Sequence, residues 1–409
     1  MCLEPQREYV MTTHAPRLPF ERTTELGPPP EFAALRAEQP LRRVGCPFGG
    51  DAWLATRYAD VRKVYADPRF SRAATVDADV PRVSPAQTPP GGLFAMDPPE
   101  HSRLRKLVAG TFTMKNVQRW RPRTEQIVDG LVAGMREHGS PVDLVHHFSV
   151  PLPVTVICEL LGVPATDRGY FERLSRLMLS TTAATGEEID EAIGTLLDYL
   201  GRHVAERRAR PSAQRSRDLL TDLVEARDES DRLSEQELVQ MGVDLLVAGH
   251  ETTANQLSNF TFTLLDTGLW SRLLEEPELL DTAVEELLRY VHLVNGGTTR
   301  IALEDVEFDG TVVRAGEAVI AAIGSANHDE TVFEEPGRIK LDRSPNPHVG
   351  FGHGVHHCLG AQLARLELRA GLGALLREFP TLRLAGEKRD VPWREGQFVH
   401  GPTELMVAW

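Results

Sequence analysis

One cysteine of this chain sits where it could do chemistry. Phe351-Gly352-His353-Gly354-Val355-His356-His357-Cys358-Leu359-Gly360 is a glycine-rich turn that delivers a thiol just ahead of an amphipathic helical stretch. Backbone N–H groups left free at a helix start favour the thiolate, which is the form a soft metal ion takes as ligand. Glycines at 352, 354 and 360 let the chain turn tightly and lie against a flat ligand, and Phe351 is placed to shield the sulfur. The same residues also suit a tight turn around a buried, inert thiol. A further alternative gathers His348, His353, His356, His357 and Cys358 into a zinc cluster, although three successive residues turn onto one tetrahedral ion only with difficulty. Cys2, Cys46 and Cys158 share no short spacing with Cys358 or each other, so neither a disulfide framework nor a paired-cysteine zinc site is readable, and no catalytic role is expected of them.

The elements that must hold this turn are mostly helical. Apolar residues recur at three- and four-residue spacing from Pro98 to Leu280, most extensively in SEQELVQMGVDLLVAGHETTANQLSNFTFTLLDTG, a helix long enough to cross a domain. Asp51 to Phe70 reads as a strand followed by a helix, and the Pro-, Asp- and Gly-rich stretch up to Gly92 as a binding loop. Strands return between Thr298 and Ala322, broken by turns at Asp309-Gly310 and Ala315-Gly316, and a last helix is expected from about Leu359 to Glu378. The expected class is mainly α with a minor β part, organised as a flexible tail (1–15) and one domain (16–409).

Composition bounds what this scaffold does. With 41% hydrophobic and 25% charged residues the chain is globular rather than disordered. A net charge of −14, from 59 acidic and 45 basic residues, argues against nucleic acid as a partner. The chain has neither an apolar run of membrane-spanning length nor a signal-peptide pattern at its N-terminus, and a soluble, cytoplasmic protein is expected.

Phe351-x-x-Gly354-x-x-x-Cys358-x-Gly360 resembles the haem-binding signature of the cytochrome P450 family. Other segments match that family in order. Glu286-Leu-Leu-Arg289 resembles its Glu-x-x-Arg pair, whose members at i and i+3 share a helix face, and Arg343 resembles the arginine that completes the pair into a network. Ala248-Gly249-His250-Glu251-Thr252-Thr253 resembles the oxygen-activation motif: the glycine opens room, Thr252 bonds back to a preceding carbonyl and distorts the helix, and Glu251 and Thr252 relay protons. The His-Glu pair does not read as a zinc protease, because Ala254 stands where its second histidine belongs. His101, Arg105, Arg300 and His356 match positions that neutralise the haem propionates, and the ligand turn with Ala248 would contact the macrocycle.

The resemblance spans about Asp51 to Trp409 and implies the helical P450 fold, heme b with an axial thiolate from Cys358, and monooxygenase activity with dioxygen. The Cys358 sulfur would push electron density onto iron and favour O–O cleavage. The overall sequence is most similar to the group that includes macrolide hydroxylase/epoxidases and an indolactam-forming enzyme. That implies a tailoring oxidation of a bacterial secondary metabolite, by hydroxylation, epoxidation or oxidative C–N ring closure. Substrate-wall positions by this resemblance are Phe94, Val243, Val247, Ala248, Asn295, Phe398 and Val399. Electrons are expected from a separate ferredoxin or flavodoxin-type partner with its reductase, with Lys106 and Arg365 as contacts. His357 departs from the pattern, standing where an apolar residue is usual. A haem-thiolate scaffold that has lost catalysis is a further alternative, and an unchanged turnover in a Thr252→Ala variant would favour it.

Overall fold

The structure is a computed structural model that describes residues 15–22, 26–211, 217–228, 232–294 and 296–409. All of the expected tail but Ala15 lies outside these residues, as does Asn295. The first half holds α1 (Glu31–Glu38), α2 (Tyr58–Ala66), α3 (Glu100–Ala109), α4 (Met114–His138), α5 (Pro151–Leu161), α6 (Arg168–Met178) and α7 (Gly186–Ala209). There follow α8 (Leu219–Asp228), α9 (Glu235–Asp266), α10 (Leu269–Glu275), α11 (Leu280–Tyr290), α12 (Ile323–Ala326) and α13 (Ala361–Glu378). The class is mainly α with a minor β part, as expected.

The long helix is α9. Its first turn is closed by a capping box, the Ser234 hydroxyl accepting from Glu237 N–H at 3.1 Å and the Glu237 carboxylate from Ser234 N–H at 2.7 Å. Its 32 residues span about 48 Å at 1.5 Å each, and it is buried on nearly every face. Helices α5, α7 and α13 pack on it, and α13 also lies along α4. The main core runs through these helices, from Leu104 and Phe148 to Phe260 and Leu375.

Strands lie mainly at the two ends of the chain. The larger sheet has the order β1 (Leu41–Gly45), β2 (Asp51–Ala55), β8 (Ala318–Ala321), β5 (Thr299–Ala302) and β3 (Phe70–Ser71), so an early hairpin is extended by late strands. Its parallel pair sets Trp53 opposite Val319. The expected Asp309-Gly310 turn joins the hairpin β6 (Val306–Phe308) to β7 (Thr311–Val313), with positive φ at both turn residues. The third sheet is not evident in the sequence: β4 (Val142–Asp143), β10 (Met406–Ala408) and β9 (Arg383–Leu384) tie the C-terminus to the end of α4.

A buried polar network carries the chain from α11 to the cysteine turn. Glu286 and Arg289 are wholly buried and paired twice at 2.8 Å, one helical turn apart. Arg343 Nε donates to Glu286 Oε2 at 2.9 Å, and Arg289 also donates to the carbonyls of Asn327 and Pro336. With each charge hydrogen-bonded as well as paired, the desolvation penalty of burial is offset and the irregular segment 327–346 is fixed.

Candidate functional site

Accessibility along α9 locates the site. Leu246, His250 and Glu251 are buried, yet between them Ala248 is exposed and Gly249 and Thr252 are half-buried. An accessible stripe at i, i+4 and i+8 in the middle of the most enclosed helix, continuing back to Asp244, lines an internal space. Cys358 has the same character: it is densely surrounded by chain, and still exposed. For a ligand atom the accessibility decides, because the sulfur is free to bond on that side.

The cysteine turn is held by its backbone. Cys358 N–H donates to Phe351 O at 2.9 Å, and Gly352 and Gly354 take φ of +73° and +69°. Gly360 has an ordinary φ of −83° as the residue before α13, and a Cβ there would meet nothing within 4 Å among the described residues. Helix α13 begins three residues beyond the thiol; burial raises the Cys358 pKa, while the Gly360 N–H, Arg105 and Arg365 pull less strongly the other way. Phe351 lies beneath the Arg365 guanidinium, 4.5 Å away, and His357 is exposed with its carbonyl accepting from Arg105 Nη2 at 2.6 Å.

The four basic residues expected to meet propionates are brought together only in part by contact. The His101 and His356 rings meet at a tilt of 48° with centroids 4.3 Å apart, and Arg300 is 2% exposed over the Tyr65 ring. Arg105 lies on α3 one turn from His101, held to the cysteine turn through His357. Arg72, which the sequence reading missed, joins them, and burial with Arg300 nearby lowers its pKa to about 10. Burial, Arg300 and His101 likewise bring the His356 imidazole down to about 3. His101 Nδ1, Arg300 Nε and His356 Nε2 are buried with no hydrogen-bond partner among the described residues. Such a crowd of buried donors fits an anionic ligand.

Glu251 and Thr252 occupy different surroundings. The Thr252 hydroxyl donates back to Ala248 O at 2.9 Å, as expected, and is accessible from the internal space. The Glu251 carboxylate is 4% exposed and paired with Arg394 at 3.2 Å, while Asn255 Nδ2 donates to its carbonyl at 2.6 Å. Its Oε1 faces His250 Nε2 at 3.7 Å without a hydrogen bond. Arg394 was not legible as its partner, since 143 residues separate them. Gly249, expected to open room for a ligand, is required by packing: a Cβ there would stand 2.8 Å from Ile157 on α5.

The other expected contacts differ in accessibility and in partners. Val243 is fully buried in the helical core, on the neighbouring flank of α9, and does not line the space; Val247, 7% exposed, is nearly so. Val399 is 4% exposed and bridges to Val294, whereas Phe398 is half-buried and Phe94 55% exposed. Arg365 is spent internally, bidentate with Glu285 at 2.7 and 2.8 Å, so it is not a free partner contact. Lys106 is exposed on α3. The zinc alternative fails, because no three His, Cys, Asp or Glu side chains among the described residues are placed to hold one ion.

Comparison with known proteins gives the same direction throughout. The family described as Cytochrome P450 matches residues 165–267 and 270–409. Nocardicin C N-oxygenase of Nocardia uniformis subsp. tsuyamanensis is 50% identical over 96% of this chain and 98% of its own. Mycinamicin IV hydroxylase/epoxidase of Micromonospora griseorubida is 46% identical over 98% of this chain and 100% of its own. Among solved structures, HinD superimposes with a TM-score of 0.93 at 45% identity, over 97% of this chain and 100% of that one. The LnmA cytochrome P450 hydroxylase of Streptomyces atroolivaceus, from the leinamycin biosynthetic pathway, superimposes at 0.87 with 48% identity, over 97% and 100%.

Proposed function

The chain belongs to the cytochrome P450 family, and from that premise we propose that it performs a late oxidation on a secondary metabolite, with Cys358 as the axial ligand and Glu251 and Thr252 as the proton-delivery pair. It is a haem-thiolate monooxygenase, and the haem supplies dioxygen activation when bound, electron push from the thiolate favouring O–O cleavage. The residues fit that group: the unpartnered donors of His101, Arg300 and His356, with Arg72 and Arg105 beside them, would take the two propionates. Phe351, with Gly352 and Gly360, would border the ligand sulfur and the macrocycle, and Ala248 would leave room on the other side.

The observation that carries this reading is the accessible stripe Ala248–Thr252 set in a buried helix, together with the accessible Cys358. Thr252 would hold a proton at its Oγ1 by keeping its bond to Ala248 O. Glu251, buried and paired, would exchange protons between the interior and that hydroxyl. The order of accessibility, Thr252 facing the space and Glu251 behind it, suits passage of a proton inward while excluding bulk water.

The names of the relatives, an N-oxygenase and a hydroxylase/epoxidase, support a tailoring oxidation here. The substrate is proposed to be a macrolide or an indole dipeptide, hydroxylated, epoxidised or closed through a C–N bond according to which atoms the pocket holds in place. Phe94, Phe398, Val247 and Val399 are proposed at its walls, and Asn295 also, although it lies outside the described residues. The electron donor is proposed to be a ferredoxin or flavodoxin-type protein meeting the face that carries Lys106. No helix of the described residues is long and apolar enough to cross a membrane. Residues 16–409 are proposed as one unit acting in the cytoplasm.

The test is a binding screen of the haem-loaded enzyme. Macrolides and indole dipeptides are titrated while the Soret band is followed, and bound compounds are turned over in isotopically labelled dioxygen. The reading expects a saturable spin-state shift with one class and a product changed by oxygen insertion or loss of two hydrogens. Silence from both classes, with haem present, would overturn the substrate assignment.

A further inference from the structure

Asp244 has no part in the reading above. It lies on α9 one turn before Ala248, on the accessible face that continues through Thr252. Its Oδ1 accepts from Gln240 Nε2 at 2.8 Å, within the same helix. Its Oδ2 accepts from the backbone N–H of Leu93 at 3.1 Å, and Leu93 belongs to the Pro- and Gly-rich loop that precedes α3. The approach is close: a Cβ at Gly92 would stand 2.5 Å from Asp244 Oδ2, so a side chain there forces the carboxylate or the backbone to shift.

The loop has a second, firmer anchor. Asp97 accepts from Arg72 N–H at 2.9 Å and from Ala73 N–H at 3.3 Å, and also pairs with the Ser71 hydroxyl. Arg72 Nε donates to Phe94 O at 2.9 Å. Between the anchors, Leu93–Ala95 forms a single 3-10 turn that presents Phe94, 55% exposed. One anchor is therefore tied by several donors beside the propionate residues, and the other by one loop N–H on the rim of the substrate space. The weaker attachment is the one that gives. Burial without a cationic neighbour raises the Asp244 pKa to about 6, so the carboxylate is held by neutral donors alone.

We propose that Asp244 is a positioning residue that latches the Gly92–Leu93 backbone to α9, thereby fixing Phe94 at the mouth of the substrate space, and that the loop opens by releasing this bond while Asp97 acts as its hinge. The proposal rests on the reading that this loop borders the substrate. It assigns specificity to a contact that no substrate atom needs to touch, because moving Phe94 changes the shape of the mouth.

The test uses the haem-loaded enzyme and two variants that loosen the latch from opposite sides. Asp244→Leu removes the acceptor, and Gly92→Ala pushes the backbone away with the carboxylate intact; Asp244→Asn, which retains an acceptor, is the conservative rescue. Hydrogen–deuterium exchange reads the Leu93 amide, and binding and release of 4-phenylimidazole are followed at the Soret band. Loss of one hydrogen bond should speed Leu93 exchange by about tenfold in the first two variants, with α9 and α13 unchanged, and raise both ligand rates. Asp244→Asn should stay near the parent. Unchanged Leu93 exchange in both loosened variants would overturn the latch. Faster exchange with unchanged ligand rates would show a latch on a loop that does not border the substrate, overturning the gating role and that part of the functional reading.

Discussion

At the scale of single residues, the account turns on what Glu251 and Thr252 touch. Thr252 bonds to Ala248 O and faces the internal space, while Glu251 sits behind it, paired to Arg394. A Thr252→Ala variant is expected to keep oxidising its reductant while product per reductant falls several-fold, the remainder appearing as peroxide. Equal coupling in the variant and the parent would remove Thr252 from proton delivery and favour a scaffold. Glu251→Gln, which cannot carry the proton, should lower turnover about a hundredfold with little change in substrate affinity. Arg394→Met leaves the buried Glu251 carboxylate without its ion-pair partner, and turnover should fall about tenfold; turnover equal to the parent would deny the pair a role. Glu251, Thr252 and Cys358 were legible because short motifs carry them. Arg394 and Arg72 were not, because each reaches its partners from a distant part of the sequence. Asp244 was missed, and Val243 taken for the wall, because periodicity gives the spacing of a helix face without saying which flank meets the core and which meets a cavity.

At the scale of elements, the buried pair on α11 is the feature most exposed to test. Glu286 accepts from Arg289, Arg343, the Lys340 backbone and Asn346, so it organises the whole irregular segment leading to the cysteine turn. Removing its charge leaves two buried guanidinium groups short of a partner, and Glu286→Gln should cost about 3–5 kcal/mol in denaturant unfolding, with weakened haem retention. A loss under about 1 kcal/mol would show that the network is incidental. The long α9, the strand-then-helix at residues 51–66 and the Asp309-Gly310 hairpin were readable, since each obeys a local rule of period, capping or turn chemistry. The sheet joining β4, β9 and β10 was not, because strands of two or three residues have no periodicity and their pairing is decided by tertiary packing.

For the whole molecule, acid stability has a nameable contributor. Burial works against the Glu285 carboxylate, yet hydrogen bonds and charge from His348 and Arg365 lower its pKa to about 2. A carboxyl so depressed stabilises the fold fully above the ordinary carboxylate pKa, and that contribution fades as the pH falls from there toward about 2. Glu285→Gln is therefore expected to lose about 1–3 kcal/mol at neutral pH, with the gap to the parent closing in acid. A gap that stays constant from pH 7 to 3 would assign the loss to packing instead. This group also joins α11 to α13 through Arg365, and so links the Glu286 network to the helix that follows the ligand turn.

The central claim is that Cys358 ligates haem iron, and the most direct measurement is the absorption spectrum of the purified haem-replete protein, reduced and under carbon monoxide. The expected result is a strongly red-shifted Soret band of thiolate type, lost in Cys358→Ser while the folded protein remains. A haem-loaded protein without that band, or one whose band survives the substitution, would contradict ligation by Cys358.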